Sequence, residues 1–161
     1  MDAATQLELI GRLAVGLVLG AAIGLERELQ RQPAGFRTHS LVALGAAIFT
    51  VVSGFAFLGP DADPTRIAAQ VVTGIGFIGA GTIIRDRGSV RGLTTAASLC
   101  AVAAVGTAAG AGLYVVAIGS ALLIIVVLWL FDRFEDALIH RLGGDRGGAP
   151  EPSEGRVEDL P

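Results

Sequence analysis

Thirty-nine consecutive residues, Leu93 to Phe131, contain no Asp, Glu, Lys or Arg. As a single helix this run reaches about 58 Å, roughly twice the ~30 Å hydrocarbon core of a bilayer. The small, flexible Ala109-Gly110-Ala111-Gly112 stretch near its middle predicts a turn. The run therefore divides into spans at about 93–109 and 113–131. Three shorter charge-free runs precede it, at 13–25, 38–60 and 67–84. Thirteen residues cover only about 20 Å, so the first helix is expected to start near Leu7 and include Arg12. The spans are then about 7–25, 38–58, 67–84, 93–109 and 113–131. The expected fold class is all-α, a polytopic membrane helix bundle of five spans.

Composition points the same way. Hydrophobic residues make up 52% of 161, glycine adds another 23 residues, and only 17% are charged, well beyond the apolar share of a soluble domain. A soluble globule, a disordered chain and a disulfide scaffold are excluded. The single cysteine, Cys100, lies in an apolar run. A cleaved secretory signal is not expected, because no basic residue precedes Arg12. No broad basic face exists, which argues against nucleic acid as a partner.

All twelve basic residues are arginine, and their placement predicts orientation. Arg27, Arg31 and Arg37 lie in the first loop, Arg85, Arg87 and Arg91 in the third, and Arg133, Arg141, Arg146 and Arg156 after the last span. Only Arg12 and Arg66 fall on the alternate side. The positive-inside bias places the N-terminus outside and the C-terminus in the cytoplasm. Arg12 has two readings: an anchor that snorkels to the headgroups, or a buried partner for a group on another helix.

Helices in lipid associate through small residues that let backbones approach. Gly16, Gly20 and Gly24 recur every four residues on the first helix. Gly74, Gly76, Gly79 and Gly81 crowd the third, and Ala97, Ala101, Ala104 and Ala108 line the fourth. Such stripes serve folding within one chain or pairing between chains, as in a homo-oligomer. The last helix is bulkier, with Leu122 to Leu130 suited to lipid contact. Residues 132–142 keep helical spacing of Phe134, Leu138 and Leu142 among charges, which predicts an amphipathic cytoplasmic extension. Residues 143–161, with three prolines and five acids against two arginines, are expected to form a disordered acidic tail.

Gly74-Ile75-Gly76-Phe77-Ile78-Gly79 matches the spacing of a dinucleotide fingerprint, but that motif needs a soluble βαβ unit and an acid about 20 residues on. The position twenty after Gly79 is Leu99. No phosphate loop for ATP hydrolysis is present, so no cofactor is expected. His39 and His140 lie far apart in sequence, and no metal-ligating cluster stands out. A serine nucleophile needs an adjacent base, and no histidine or acid lies mid-membrane. An enzyme is therefore not expected.

Transport remains an alternative. Gln70, Thr73, Thr82, Thr94, Thr95 and Ser98 place polar atoms in the third and fourth spans, and carbonyls beside glycines could line an ion path. The four central runs hold no acid, however, and the same hydroxyls can bond neighbouring backbone as helix glue. Asp63 is placed to cap the third helix, with Pro64 at its first position. Arg85, Arg87 and Arg91 beside Thr94-Thr95 could hold an anionic headgroup.

The stretches Gly24-Leu25-Glu26-Arg27-Glu28, Ala34-Gly35-Phe36-Arg37-Thr38-His39, Arg66-Ile67-Ala68-Ala69-Gln70, Gly74 to Gly81, and Gly92-Leu93-Thr94-Thr95-Ala96-Ala97-Ser98 together resemble the MgtC/SapB (YhiD) family over about residues 10–131. Phe36 stands where Leu is more frequent in that family, and Cys100 where a larger residue is common. The resemblance implies a bacterial inner-membrane protein with about five spans. It further implies a non-enzymatic, regulatory role in adaptation to low magnesium, through contact with another membrane complex such as the F-type ATP synthase or a transporter. Longer members of the family carry a soluble domain after the last span, and this chain is read as a short form without it. The candidate functional polar motif is Glu26, Arg27, Arg37, Thr38, His39, Asp63, Arg66, Gln70, Thr94 and Thr95. The alternative is a small channel or transporter for Mg²⁺ or another cation, lined by the third helix.

Overall fold

A computed structural model describes residues 2–56, 59, 63, 65–86 and 89–142, with side chains as far as Phe131. Five helices and one hairpin follow in order: α1 (Ala3–Leu29), α2 (Phe36–Phe55), α3 (Arg66–Gly81), β1 (Ile84–Asp86), β2 (Ser89–Arg91), α4 (Leu93–Gly110) and α5 (Tyr114–Leu142). The chain divides into Met1–Trp129, which holds the bundle, and a second unit from Leu130 onward. Four helices are long and apolar enough to cross a bilayer, α5 over Tyr114–Phe131.

The predicted division of the long apolar run is present. α4 ends at Gly110, Gly112 takes a left-handed φ of 81°, and α5 starts two residues later. Gly112 N–H donates to the Ala109 carbonyl and Leu113 N–H to that of Ala108, the paired bonds that close a helix with a left-handed residue after its cap. α1 ends the same way. Arg31 N–H reaches the Glu28 carbonyl and Gln32 N–H that of Arg27, but the left-handed residue (φ 55°) is Arg31 rather than glycine.

Three elements differ from the sequence expectation. α1 is 27 residues long, a turn longer at each end than 7–25, because Asp2 caps it through Thr5 N–H (3.0 Å) and the Thr5 hydroxyl. α3 has 16 residues and stops at Gly81, about 24 Å of helix. Residues 84–91, expected as the span's end and a loop, pair antiparallel, with Ile84 opposite Arg91 and Arg85 opposite Val90. α5 continues as helix through 132–142, whose side chains lie outside the described residues, as do residues 143–161, Pro64 and Arg87.

α2 occupies the centre. Its Ala43 and Ala47 are fully buried between two glycine-bearing helices. On one side a Cβ added at Gly16 would meet the Ala47 Cβ at 3.1 Å; at Gly20, the His39 carbonyl oxygen at 2.8 Å; at Gly24, the His39 Cβ at 2.9 Å. On the other side a Cβ on Gly106 would lie 2.8 Å from the Ala43 Cα, and one on Gly110 would lie 2.6 Å from the Ala47 carbonyl oxygen. Any side chain at these positions forces backbones apart, so glycine here sets interhelical distance. α5 completes this core through Ala117, Ala121 and Leu128, packed with Ile23, Val102 and Val105.

α3 is attached more lightly. Only Ile75 and Gly79 are buried, and Gly79 faces Ala96 of α4 at ordinary contact distance. Gly74, Gly76 and Gly81 have open space where a Cβ would point, so within this chain they are not contact surface. Gly92 (φ 88°) opens α4, and a Cβ there would collide with the Thr82 carbonyl oxygen. Glycine at this position lets the hairpin close against the end of α3.

Candidate functional site: a sealed polar cluster and two open ends

The starts of α2 and α4 meet the end of α1. His39 is fully buried. Its Nδ1 lies 3.0 Å from the Gly35 carbonyl oxygen and its Nε2 lies 3.0 Å from Ser98 Oγ. A carbonyl can only accept, so Nδ1 donates to Gly35, while Nε2 and the Ser98 hydroxyl join α2 to α4. The Ser98 hydroxyl donates to the Thr95 carbonyl oxygen at 2.9 Å. Thr95 is buried beside it. One turn above Gly24, Arg27 is 1% exposed and grips its neighbour Glu26 with two bonds, Nε to Oε2 at 2.6 Å and Nη2 to Oε1 at 2.9 Å. Glu28 reaches across to accept from Phe36 N–H at 3.0 Å, capping α2, whose N-cap Gly35 has no side chain to do so.

Glu26, Arg27, His39 and Thr95 of the predicted motif therefore gather at one end of the bundle. Arg37 and Thr94 are exposed nearby and Thr38 is half-buried, so the motif splits into a sealed interior and an outward rim. Ser98 and Gly35 belong to the interior, Glu28 is exposed beside it, and none of the three was among the candidates. Ser98 stands three residues after Thr95 and one before the buried Leu99, a placement that helical spacing could have flagged. The structure also brings a histidine to a serine, contrary to the expectation that no base lies near one. Both are buried, and the Nδ1 side faces a carbonyl rather than a carboxylate. The pair is suited to joining α2 to α4, not to meeting a substrate.

The opposite end holds Arg12. It pairs with Glu8 one turn earlier at 2.7 Å, donates to the Gly110 carbonyl oxygen at 3.4 Å and sits 5.2 Å over the Phe55 ring. Of the two sequence readings neither is complete: the charge is paired within its own helix, while the guanidinium covers the carbonyl end of α4, where a cation is favoured. Asp63, Arg66 and Gln70 are all exposed at this end of α3. Asp63 does not cap α3. It accepts from Thr65 Oγ1 (2.6 Å) and Thr65 N–H (2.9 Å), bonds that hold its carboxyl below the usual carboxylate range. The side-chain oxygen that serves the start of α3 is Ser53 of α2, which accepts from Ile67 N–H at 3.3 Å.

Between α2 and α3 lies an apolar cavity of about 480 Å³, walled by Leu41, Gly45, Phe49, Gly74 and Ile78, with Gln70 its polar group. By helical spacing Phe77 lies on the same side of α3 as Gln70 and Gly74, and it is 84% exposed.

Long apolar helices, glycine-set interhelical distances and polar groups confined to sealed contacts or helix ends define a multi-pass helical membrane protein. A profile of the MgtC family matches residues 13–137; the chain belongs to that family and is a bacterial inner-membrane protein. It is similar to YhiD of Escherichia coli strain K12, named as a candidate magnesium transporter, with 41% identity over 83% of this chain and 65% of that protein. It is 52% identical to the protein MgtC of Brucella abortus strain 2308, over 63% of this chain and 42% of that protein. It is 46% identical to an uncharacterized protein of Synechocystis, over 71% and 48%. The chain thus spans less than two-thirds of the length of these relatives. No solved structure matches it.

Proposed function

We propose that this protein is a non-enzymatic regulator of adaptation to low magnesium, acting by contact with another membrane protein rather than by moving the ion itself. The observation that carries this reading is the contrast between the sealed polar cluster and the open face of α3. Among the described residues, the side-chain hydrogen bonds of His39, Ser98 and Glu26 run to groups of the same bundle, which supports a structural role for this cluster. By helical spacing Gln70, Gly74, Phe77 and Gly81 share one stripe of α3, where Phe77 is exposed and a Cβ at Gly74 or Gly81 would meet nothing. Family membership ties the chain to magnesium through the names of its relatives.

In this reading the arginine-bearing end with Arg37 faces the cytoplasm and the rim of Arg37, Thr38 and Thr94 lies at its surface. The test is growth of a deletion strain across a magnesium series, complemented by wild type, Phe77→Ala and Arg37→Ala, with photo-crosslinking from position 77 to capture the partner. Wild-type rescue, failure of Phe77→Ala at equal membrane abundance, and a crosslinked membrane protein support the proposal. Full rescue by Phe77→Ala removes α3 from it.

A second reading, transport, draws on the name of the E. coli relative and on Gln70 beside the cavity. It requires Mg²⁺ uptake by liposomes containing only this protein.

A further inference from the structure

We propose that the β1–β2 hairpin is an interfacial element that binds anionic phospholipid headgroups through Arg85 and Arg91. The starting point is length. Read as the fifth crossing, α3 supplies about 24 Å of helix against about 30 Å of hydrocarbon, which brings the residues that follow Gly81 to the edge of the hydrocarbon. Those residues are apolar and uncovered: Ile83 is 39% exposed, Ile84 65%, and Val90 50%. The base of the hairpin packs on the end of α3, where Gly92 lies so close to the Thr82 carbonyl that a Cβ would collide with it.

The antiparallel register then sets what reaches the phosphates. Ile84 pairs with Arg91 and Arg85 with Val90. Opposed residues share a face of the ribbon, so one face carries Arg85 with Val90 and the other carries Arg91 with Ile84, followed by Asp86 and Ser89 toward the turn. Such a pair suits the boundary between acyl chains and headgroups, with the aliphatic group in hydrocarbon and the guanidinium raised to the phosphate. The two arginines point to opposite faces, which assigns them separate headgroups rather than one shared phosphate. Both are exposed, and among the described residues neither has an ion-pair partner. Charge complementarity selects an anionic lipid, which guanidinium groups bind in bidentate fashion.

The proposal rests on the reading of α3 as a membrane crossing and not on the regulatory contact proposed above. The full chain is extracted from membranes containing phosphatidylglycerol and phosphatidylethanolamine, and the retained lipid is measured by native mass spectrometry. Wild type is expected to hold phosphatidylglycerol about fivefold above its membrane share. R85Q/R91Q should return that ratio to the membrane value with an unchanged helical circular dichroism spectrum. Arg66→Gln, at the other end of α3, should leave it enriched. Retention of enrichment in R85Q/R91Q overturns the proposal, as does equal loss in Arg66→Gln. Displacement of the lipid by millimolar inorganic phosphate overturns the lipid source and assigns the arginines to a soluble anion.

Discussion

Two glycine-rich regions of similar sequence do opposite things. Gly16, Gly20 and Gly24 of α1, with Gly106 and Gly110 of α4, bring backbones into contact around Ala43 and Ala47. At Gly74, Gly76 and Gly81 of α3 a Cβ would meet nothing among the described residues. In the first region glycine is a spacer whose replacement separates helices. In the second it leaves a surface low and smooth. Glycine content therefore reports neither packing nor flexibility until the facing element is known.

Substitutions can break that comparison. The largest effect is expected for Gly20→Leu and Gly106→Leu, which drive a side chain into the α2 backbone. Overpacking of this kind costs about 1–3 kcal/mol where a core can adjust, and here the obstacle is main chain, so little folded protein should survive detergent extraction on size exclusion. Gly74→Leu should extract and fold like wild type; equal failure of the two sets would remove the distinction. His39→Ala comes next. It deletes the Ser98 contact and opens a cavity in a sealed site, at about 2–4 kcal/mol, measured as a lower thermal midpoint in detergent. Ser98→Ala removes one hydrogen bond and should cost about 1 kcal/mol, with the loss not additive to that of His39→Ala because both act on the same bond.

The smallest changes run the other way. Gly74→Ala fills open space on a helix and should stabilise by up to about 1 kcal/mol. Arg31→Gly relieves a left-handed residue and should gain about 0.5–1 kcal/mol. A fall in thermal midpoint for Gly74→Ala would mean that α3 has a partner in the purified state.

Much of this was legible from spacing. The turn at Ala109 to Gly112 followed from a run too long for one crossing, and the α1 glycine stripe pointed to close contact, though not to its partner. The α4 face was not legible. Ala97 and Ala104 of the expected stripe are exposed, while the buried side runs through Thr95, Ser98, Leu99, Val102, Gly106 and Gly110. α4 is apolar all round, so periodicity carries no signal for which side turns inward. The cap of α3 was misplaced for a related reason: Asp63 satisfies Thr65 locally, and the distant Ser53 takes over. The hairpin escaped notice because three-residue strands leave too short a pattern to read.

That the chain forms long apolar helices suited to lipid follows from local order alone, since apolar length and charge position depend only on neighbours along the chain. The sequence also carried the family motifs, which are local strings. Which glycines touch, that His39 meets Ser98 fifty-nine residues away, and that Arg12 closes the end of α4 were decided only by the tertiary structure. In hydrocarbon every face of an apolar helix is equally soluble, so the choice among faces rests on backbone approach and hydrogen-bond partners that exist only once the helices are side by side.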